Sequence, residues 1–290
     1  MKALLVQFLS KASNSPTLKK ILDASLVKAS DFYLRNQIPA MEGAAAAQFE
    51  ALSSQLKAEL TVRSGPFQGM KYPSAKAAGS AFIPKLLGSY ERELHPELER
   101  LIAKGYDDVV DVGCAEGYYA TGMALRLPGA RVHAYDTSGT ARELCHAMAV
   151  LNGVNQRVKV ETTCTPETLM QLPKPGRTLI IVDCEAYEKF LFTPAVRDAL
   201  KGCDLLIETH DFLDVNISTD LEALFASTHR ITHVLSADDI QKAKHYAYPE
   251  LAAFPVPVRF HLLRESRPMI MEWLILEPLE CAACGREGLV

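Results

Sequence analysis

The stretch VVDVGCAEGYYA, residues 109–120, decides the fold of this chain. Its first four residues are three valines around Asp111, and such an apolar run predicts a buried β-strand. Gly113 and Gly117 predict a tight turn, and Tyr118 begins the helix that follows. A strand, a glycine turn and a helix in this order aim backbone N–H groups at the carboxyl edge of a parallel sheet. We therefore expect a ligand site at this edge.

From residue 108 onward, apolar strands alternate with helices that have one polar face. The pattern predicts strands near 108–113, 131–136, 157–163, 178–183 and 204–209. Two further apolar segments, 229–237 and 267–278, enclose a Pro- and Tyr-containing loop without a clear crossover helix, and we expect them to add a hairpin. The predicted fold class is α/β: a seven-stranded, mostly parallel sheet with an antiparallel C-terminal strand, covered by helices on both faces.

The residues before this region are helical in pattern. Apolar spacings of three and four predict two helices within 1–62, which we interpret as a cap over the site or a dimerisation extension. Residues 63–104 predict a short hairpin and then helices interrupted by two prolines and a glycine, with Gly105 as the final cap. The predicted divisions are 1–62, 63–104, 105–280 for the sheet domain and 281–290 for a tail.

Composition and charge exclude several classes of protein. A net charge of −4 with scattered Lys and Arg argues against a nucleic-acid partner, and no run approaches the about eighteen apolar residues that a membrane span needs. Seven cysteines, an odd number, favour reduced thiols and a cytoplasmic protein. Cys281 and Cys284 have the spacing of half a zinc site, but no second pair lies near them, so we interpret 281–290 as a frayed tail.

A second signal supports the glycine turn. Asp136 ends the next predicted strand, 19 residues after Gly117, where a carboxylate can accept hydrogen bonds from a ribose diol. Glu116 lies where a dinucleotide would place its pyrophosphate, and like charges at ~4 Å repel by about 4 kcal/mol at an effective dielectric of about 20. S-adenosylmethionine presents an ammonium and a sulfonium instead, which Asp111 and Glu116 would attract. The residues therefore favour S-adenosylmethionine over NAD.

The other predicted cofactor contacts come from the turn and the following strand ends. They are Gly113, Cys114, Ala115, Tyr118, Thr137, Cys164 and Asp183. The third strand ends in Cys164 rather than in an acid that could bind the adenine amino group, so its thiol or a backbone group takes that place. The alternative to a ligand site is a plain strand-to-helix turn, with Asp136 as an N-cap of the next helix.

These motifs resemble those of class I S-adenosylmethionine-dependent methyltransferases. The residues that carry the resemblance are DVGCAEG at 111–117 and AYD at 134–136, with Ala115 where the motif has its middle glycine. The resemblance implies a Rossmann-like methyltransferase fold that binds S-adenosylmethionine.

Later stretches resemble the FkbM-type O-methyltransferases. IVDCEAYEKFLFTP at 181–194 and LLIETHDF at 205–212 are similar to that family's D-x-E-G-x-E and E-x-H segments, with Ala186 where the family usually has Gly. LLGSYERELHP at 86–96 resembles its pre-domain helix. The resemblance spans roughly residues 82–277 and leaves the N-terminal helices unexplained.

Acids and one histidine follow two strands that we expect to be neighbours. Asp183 ends the fourth strand, Glu185 follows it, and the fifth strand runs out through Glu208, His210 and Asp211. Without a metal, His210 would be the general base, held in its tautomer by Glu185 or Asp183. With Mg²⁺ or Mn²⁺, the expected ligands are Asp183, Glu208, His210 and Asp211. We favour the metal-free version.

Several of these residues also have a purely structural interpretation. Glu185 and Glu188 are typical of solvated charges at a helix start, and His210 of a satisfied loop residue. Tyr90 and Glu91 either close over the cofactor or lie on a helix surface.

The expected activity is O-methylation of a small-molecule hydroxyl, on a natural product or a sugar, by a homodimer formed through the N-terminal helices. N- or C-methylation of a small molecule is one alternative, because this fold performs both. The other is a catalytically silent partner subunit that binds the cofactor.

Overall fold

The structure, a computed structural model, describes residues 43, 47–75, 81–172 and 176–279. The strands among these residues are β1 Asp108–Val112, β2 Arg131–Tyr135, β3 Val158–Glu161, β4 Thr178–Val182, β5 Asp204–Thr209, β6 His229–Leu235 and β7 Glu272–Pro278. They form one sheet in the order β3-β2-β1-β4-β5-β7-β6. β7 is antiparallel to β5 and β6, whereas the other pairs are parallel. The predicted fold class is confirmed.

Helices connect the strands and cover the sheet. They are α1 47–59, α2 Phe82–Leu87, α3 His95–Lys104, α4 Tyr118–Arg126, α5 Gly139–Leu151, α6 Pro166–Gln171, α7 Glu188–Leu191, α8 Pro194–Leu200, α9 Ile217–Phe225, α10 Asp239–His245 and α11 Val256–Leu263. Short 3₁₀ turns lie at Arg92–Leu94 and Pro249–Leu251. Gly105 ends α3 with a φ of +70°, as the sequence predicts.

The connection between β6 and β7 corrects one prediction. It contains α10 and α11, so the interpretation of this segment as a loop without a helix is wrong. Asp238 is the N-cap of α10, because its Oδ1 accepts hydrogen bonds from the backbone N–H groups of Ile240 and Gln241, both at 2.9 Å. Proline before and within the first turn of α11 interrupts no helical hydrogen bond there. Proline in this segment therefore marks a helix start.

The described residues before β1 pack onto the sheet. Leu56, Phe67 and Leu86 are buried in the same apolar cluster as Met123 of α4. The predicted hairpin is a turn closed by a bridge between Thr61 and Lys71. This segment therefore contributes to the core, and the divisions predicted near residues 62 and 104 stay predictions.

Other predictions fall outside the described part of the chain. The predicted tail at 281–290, which contains Cys281 and Cys284, lies outside it. The first of the two predicted N-terminal helices also lies outside it, together with the dimer contact that we expect there. Within the described part, no helix is both long and apolar enough to cross a membrane.

Candidate active site

A cavity of about 660 Å³ opens at the carboxyl edge of the sheet. It has the size typical of a small-ligand site. Residues that follow β1, β2, β3, β4 and β5 line it, together with residues from the segments before β1 and before β7. The predicted site residues that line it are Gly113, Cys114, Ala115, Tyr118, Asp136, Thr137, Cys164, Asp183, Glu185, Glu208 and His210.

The turn after β1 has a strained backbone that Asp136 holds in place. Gly113 and Gly117 have φ values of +87° and +94°, and Ala115 between them has a φ of +47°. An L-residue in this left-handed region costs roughly 1–2 kcal/mol relative to right-handed backbone. The N–H of Ala115 donates to Oδ2 of Asp136 at 2.9 Å, which supports the conformation. Ala115 thus adopts a conformation for which glycine is the usual residue.

Gly113 also allows two strands to approach. A Cβ built on Gly113 would lie 1.6 Å from the backbone oxygen of Asp183. This glycine therefore brings the cofactor turn after β1 against the end of β4, where the candidate catalytic acids begin.

Asp136 is placed as a ribose-binding residue would be. It follows β2, lines the cavity, and accepts hydrogen bonds from Ala115 N–H and, at 2.8 Å through Oδ1, from Ser138 N–H. Each carboxylate oxygen has two lone pairs, so both can accept a further donor from the cavity. Ser138 rather than Asp136 caps α5, because its hydroxyl accepts from Ala141 N–H at 3.3 Å.

Glu116 does not line the cavity. Its carboxylate accepts from Nζ of Lys85 at 2.6 Å, and both side chains are buried. A buried ion pair of this kind is costly to break, since removal of one partner leaves an uncompensated charge. Glu116 therefore links α2 to the turn at 113–117 through an ion pair. The prediction that its carboxylate attracts a ligand cation is wrong. Gly117 lies outside the lining as well, packed against Cys145.

Asp111 is buried inside β1, next in the chain to Val112, which lines the cavity. Its Oδ2 has no hydrogen-bond partner among the described residues. Burial, followed by the charge of Asp183, raises the pKa of Asp111 to about 7. A buried carboxyl with this pKa can ionise near neutral pH, and its predicted contact with a ligand cation stays a prediction.

Aromatic side chains form the wall of the cavity next to α4. Tyr118 is buried and packs edge-to-face on Phe67, Tyr90 and Tyr119 at ring-centroid distances of 5.0 to 5.4 Å. The Tyr119 hydroxyl donates to Glu91. Tyr90 and both residues of the Tyr118–Tyr119 pair line the cavity while filling core.

His210 is held by an acid that differs from the predicted ones. Its Nδ1 lies 2.6 Å from Oε1 of Glu188, which is fully buried, and its Nε2 lies 3.5 Å from Asp183 and 3.7 Å from Glu185. Burial lowers the pKa of His210, but the hydrogen bond and charge of Glu188 outweigh it, so the pKa is raised overall. Donation from Nδ1 to Glu188 leaves Nε2 facing the cavity as an acceptor.

The alternative interpretation of Glu188 as a solvated charge is wrong, because its side chain is buried. The helical turn of α7 folds its side chain beneath the end of β5, where it contacts His210. Glu185, by contrast, has a side chain that is 80% exposed. Its φ of +56°, and that of +70° for Ala186, bend the chain between Asp183 and α7. In the sequence, the signal that Glu188 belongs to the site is its position five residues after Asp183.

Asp183 and Glu208 form a carboxyl pair at the cavity floor. Burial and then the charge of Glu91 raise the pKa of Asp183 to about 6. Burial and then the charge of Asp183 raise the pKa of Glu208 well above its ordinary value. Like charges this close disfavour simultaneous ionisation, so the pair favours a state in which one proton is shared between the two carboxyl groups.

Arg267 is a site residue that the sequence did not reveal. It precedes β7, lines the cavity, and donates to Glu208, to Glu91 at 2.8 Å and to Glu265 at 2.9 Å. Its partners lie up to 176 residues away in the chain. No local motif joins such positions, so only the folded chain shows the cluster.

Asp211 does not join the predicted ligand set. Its Oδ1 accepts from Ser218 N–H at 2.9 Å and its Oδ2 from the Thr209 hydroxyl at 3.1 Å, so it orders the turn after β5. Asp183, Glu208 and His210 do converge, with one potential ligand atom each within 4.8 Å of the others. The structure thus brings three of the four predicted metal ligands together.

Comparison with known proteins gives one partial match in sequence. No family model matches the chain. Over 74 residues it is 40% identical to the release factor glutamine methyltransferase of Chlorobaculum tepidum, a match that covers 24% of this chain and 25% of that protein. The match therefore spans about a quarter of the length of this curated relative.

Solved structures overlap with the chain at low identity. The precorrin-6y C5,15-methyltransferase from Geobacter metallireducens aligns over 63% of this chain and 87% of its own, with 15% identity and a TM-score of 0.41. The geranyl diphosphate C-methyltransferase from Streptomyces coelicolor aligns over 68% and 81%, with 11% identity and a TM-score of 0.40. Overlaps at these scores identify neither a reaction nor a substrate.

Proposed function

We propose that this protein is an S-adenosylmethionine-dependent methyltransferase that methylates a hydroxyl of a small molecule. The observation that carries the proposal is that a single cavity is lined by residues of the turn after β1, by Asp136, and by His210, whose Nδ1 contacts the buried Glu188. The turn and Asp136 suit a ribose and a charged methionine moiety, and His210 suits proton removal. The partial match to a known methyltransferase supports the same activity.

The FkbM-like assignment is part of this proposal. The chain has Ala115 where the class I methyltransferase motif has glycine, and Ala186 where the FkbM-type motif usually has glycine. Both alanines nevertheless adopt positive φ, at +47° and +70°. The backbone shape that glycine would favour is therefore retained, and the two departures do not argue against the assignment.

The chemistry follows from the positions of the side chains. Asp136 would hold the ribose hydroxyls of S-adenosylmethionine, and the turn at 113–118 would hold its amino acid moiety, whose ammonium the charge of Asp111 would favour. His210 Nε2 takes the proton of the acceptor hydroxyl, and Glu188 stabilises the imidazolium that results. S-adenosylmethionine, when bound, would supply the methyl group: the acceptor oxygen would take it as the carbon–sulfur bond breaks, and S-adenosylhomocysteine would be the leaving group. Enclosure of both partners in one cavity supplies the alignment that this displacement needs.

Calorimetry with S-adenosylmethionine and with S-adenosylhomocysteine tests the cofactor assignment. We expect stoichiometric binding of both, and turnover of a labelled methyl group when hydroxyl-bearing natural products and sugars are supplied. Absence of binding would overturn the proposal. Binding without turnover on any acceptor, including amines and carbon nucleophiles, would point to the silent partner subunit instead.

A metal-assisted reaction is the second candidate. The convergence of Asp183, Glu208 and His210 favours it, and so does the Glu188 contact at Nδ1, because metal-bound histidines usually donate their other N–H to a carboxylate. Arg267 beside Glu208 opposes it, since it places a positive charge where the cation would bind. When bound, Mg²⁺ or Mn²⁺ would lower the pKa of the acceptor hydroxyl. Loss of activity with a chelator and recovery with either ion would select this version.

A further inference from the structure

Exposed apolar side chains lie on the segments that line the cavity on its β4, β5 and β7 side. The described residues have fourteen large apolar side chains that are exposed. Six of them line the cavity or lie within three residues of a lining residue in the segments after β4, after β5 and before β7: Phe190, Phe212, Leu213, Val215, Met269 and Ile270. We call these six the apolar rim. Monomeric proteins rarely leave such a group in water without a binding role.

The apolar rim is continuous with the cavity. Phe212 belongs to both, since it lines the cavity, lies 5.9 Å from the His210 ring between centroids, and is 39% exposed. Phe190 packs on Tyr187, another lining residue, at 6.2 Å. An ion pair between Lys189 and Asp214 holds α7 against the turn that carries Leu213 and Val215. A ligand whose reactive end reaches His210 therefore leaves the cavity across an apolar surface.

The inner end of the cavity has the opposite character. Asp183 and Glu185 lie beside Nε2 of His210. The two cations that line the cavity, Lys85 and Arg267, are both engaged by acids of the protein. A carboxylate or phosphate on the acceptor would meet uncompensated negative charge there, whereas a hydroxyl or an amine would find acceptors.

We propose that the acceptor is amphipathic: its methylated end is a neutral or cationic polar head, and an apolar chain lies along the rim. This rests on the proposed function and names the substrate class of the same site. An apolar chain on the rim explains why these side chains lie on the segments that line the cavity, since their burial would contribute to acceptor binding.

Binding of simple probes tests the proposal without knowledge of the natural acceptor. The probes are 1-octanol, octylamine and octanoate, each with its four-carbon counterpart, measured by calorimetry on the full chain. We expect the eight-carbon alcohol and amine to bind at least about tenfold more tightly than the four-carbon ones, because each buried methylene adds to affinity. Octanoate should bind about tenfold more weakly than octanol.

Substitution of the apolar rim locates the effect. In the double variant Phe190→Ser, Val215→Ser, the chain-length preference should fall below about threefold, while S-adenosylhomocysteine affinity stays the same. The matched control is Val150→Ser, Leu151→Ser, which removes two comparably exposed apolar side chains from the far end of α5 and should behave as the wild type. Neither pair belongs to the residues that bind cofactor or move protons.

Three outcomes would overturn the proposal: a chain-length preference that survives in the rim variant, one that is lost equally in the control, or tightest binding of octanoate. A rim variant that only changes the oligomeric state in sedimentation, with no chain-length preference in the wild type, would assign the rim to contact between two copies. Failure of S-adenosylhomocysteine to bind refutes the proposed function separately, because the probes are measured without it.

Discussion

The two halves of the sheet build their parts of the site by different means. In the half formed by β1, β2 and β3, the backbone N–H of Ala115 in the turn after β1 donates to the carboxylate of Asp136 across 21 residues. In the half formed by β4, β5, β7 and β6, side chains do the work, and Arg267 reaches Glu91 across 176 residues. The first half therefore offers backbone groups and one carboxylate to a ligand, and the second offers a cluster of interacting acidic and basic side chains.

Because of this difference, we expect substitutions to change cofactor binding and turnover separately. Changes in the β1–β3 half should weaken cofactor affinity. Changes in the β4–β5 half should alter the rate and its pH dependence, because protonation there depends on neighbouring acids.

The largest effect is expected for His210→Ala. Removal of a general base costs about 10²–10⁴-fold in rate, so turnover should fall by that factor while S-adenosylhomocysteine affinity changes little. Single-turnover kinetics and calorimetry measure the two. His146→Ala, at an exposed histidine on α5, is the matched control and should keep the wild-type rate. Near-normal turnover in His210→Ala, with no sensitivity to a chelator, would leave positioning beside the methyl donor as the mechanism.

The next effect is expected for Asp136→Ala. Loss of charge-assisted hydrogen bonds to the ribose and of the bond from Ala115 should cost about 1.5–3 kcal/mol of cofactor binding, or roughly 10- to 150-fold in Kd. Calorimetry measures it, and thermal unfolding checks that the fold is retained. Asp136→Asn keeps one acceptor oxygen and should lie between the variant and the wild type. Unchanged affinity in Asp136→Ala would break the division between the two halves.

A smaller effect that depends on pH is expected for Glu188→Gln. His210 must be neutral to accept a proton, so the wild-type rate should rise with pH through a pKa above the ordinary value for histidine. Without the Glu188 charge, burial dominates and lowers that pKa, although Asp183 and Glu185 still face Nε2. The rising limb should therefore move to lower pH, with a loss of about tenfold on the plateau. An unmoved limb would show that another group titrates.

The smallest effect is expected for Glu185→Gln. Its side chain is 80% exposed and lies 3.7 Å from Nε2 of His210, so solvent screens its charge. The rate should change by less than about threefold, with only a small shift of the pH profile to lower pH, because Glu185 is the smallest of the charges that raise the pKa of His210. A loss of more than tenfold would restore Glu185 as a catalytic residue and would mean that the 183–188 turn closes over the acceptor.

Much of the fold could be predicted because its signals are local. The apolar runs of β1 and β4, the glycine turn and the cap at Gly105 each depend on a few consecutive residues. Prolines at the start of α11 favour a loop there in the sequence, so the pattern does not predict this helix, although proline is compatible with the first turn of a helix.

The parallel sheet and the glycine turn after β1 follow from local sequence patterns alone. So does the placement of Asp136, Asp183 and His210 at one edge of the sheet, because the carboxyl ends of parallel strands meet there. Only the tertiary structure decided which acid orients His210, that Lys85 neutralises Glu116, and that Arg267 joins three acids. Charges act through space over a few ångströms, so their partners depend on how distant segments pack, and no spacing along the chain records that.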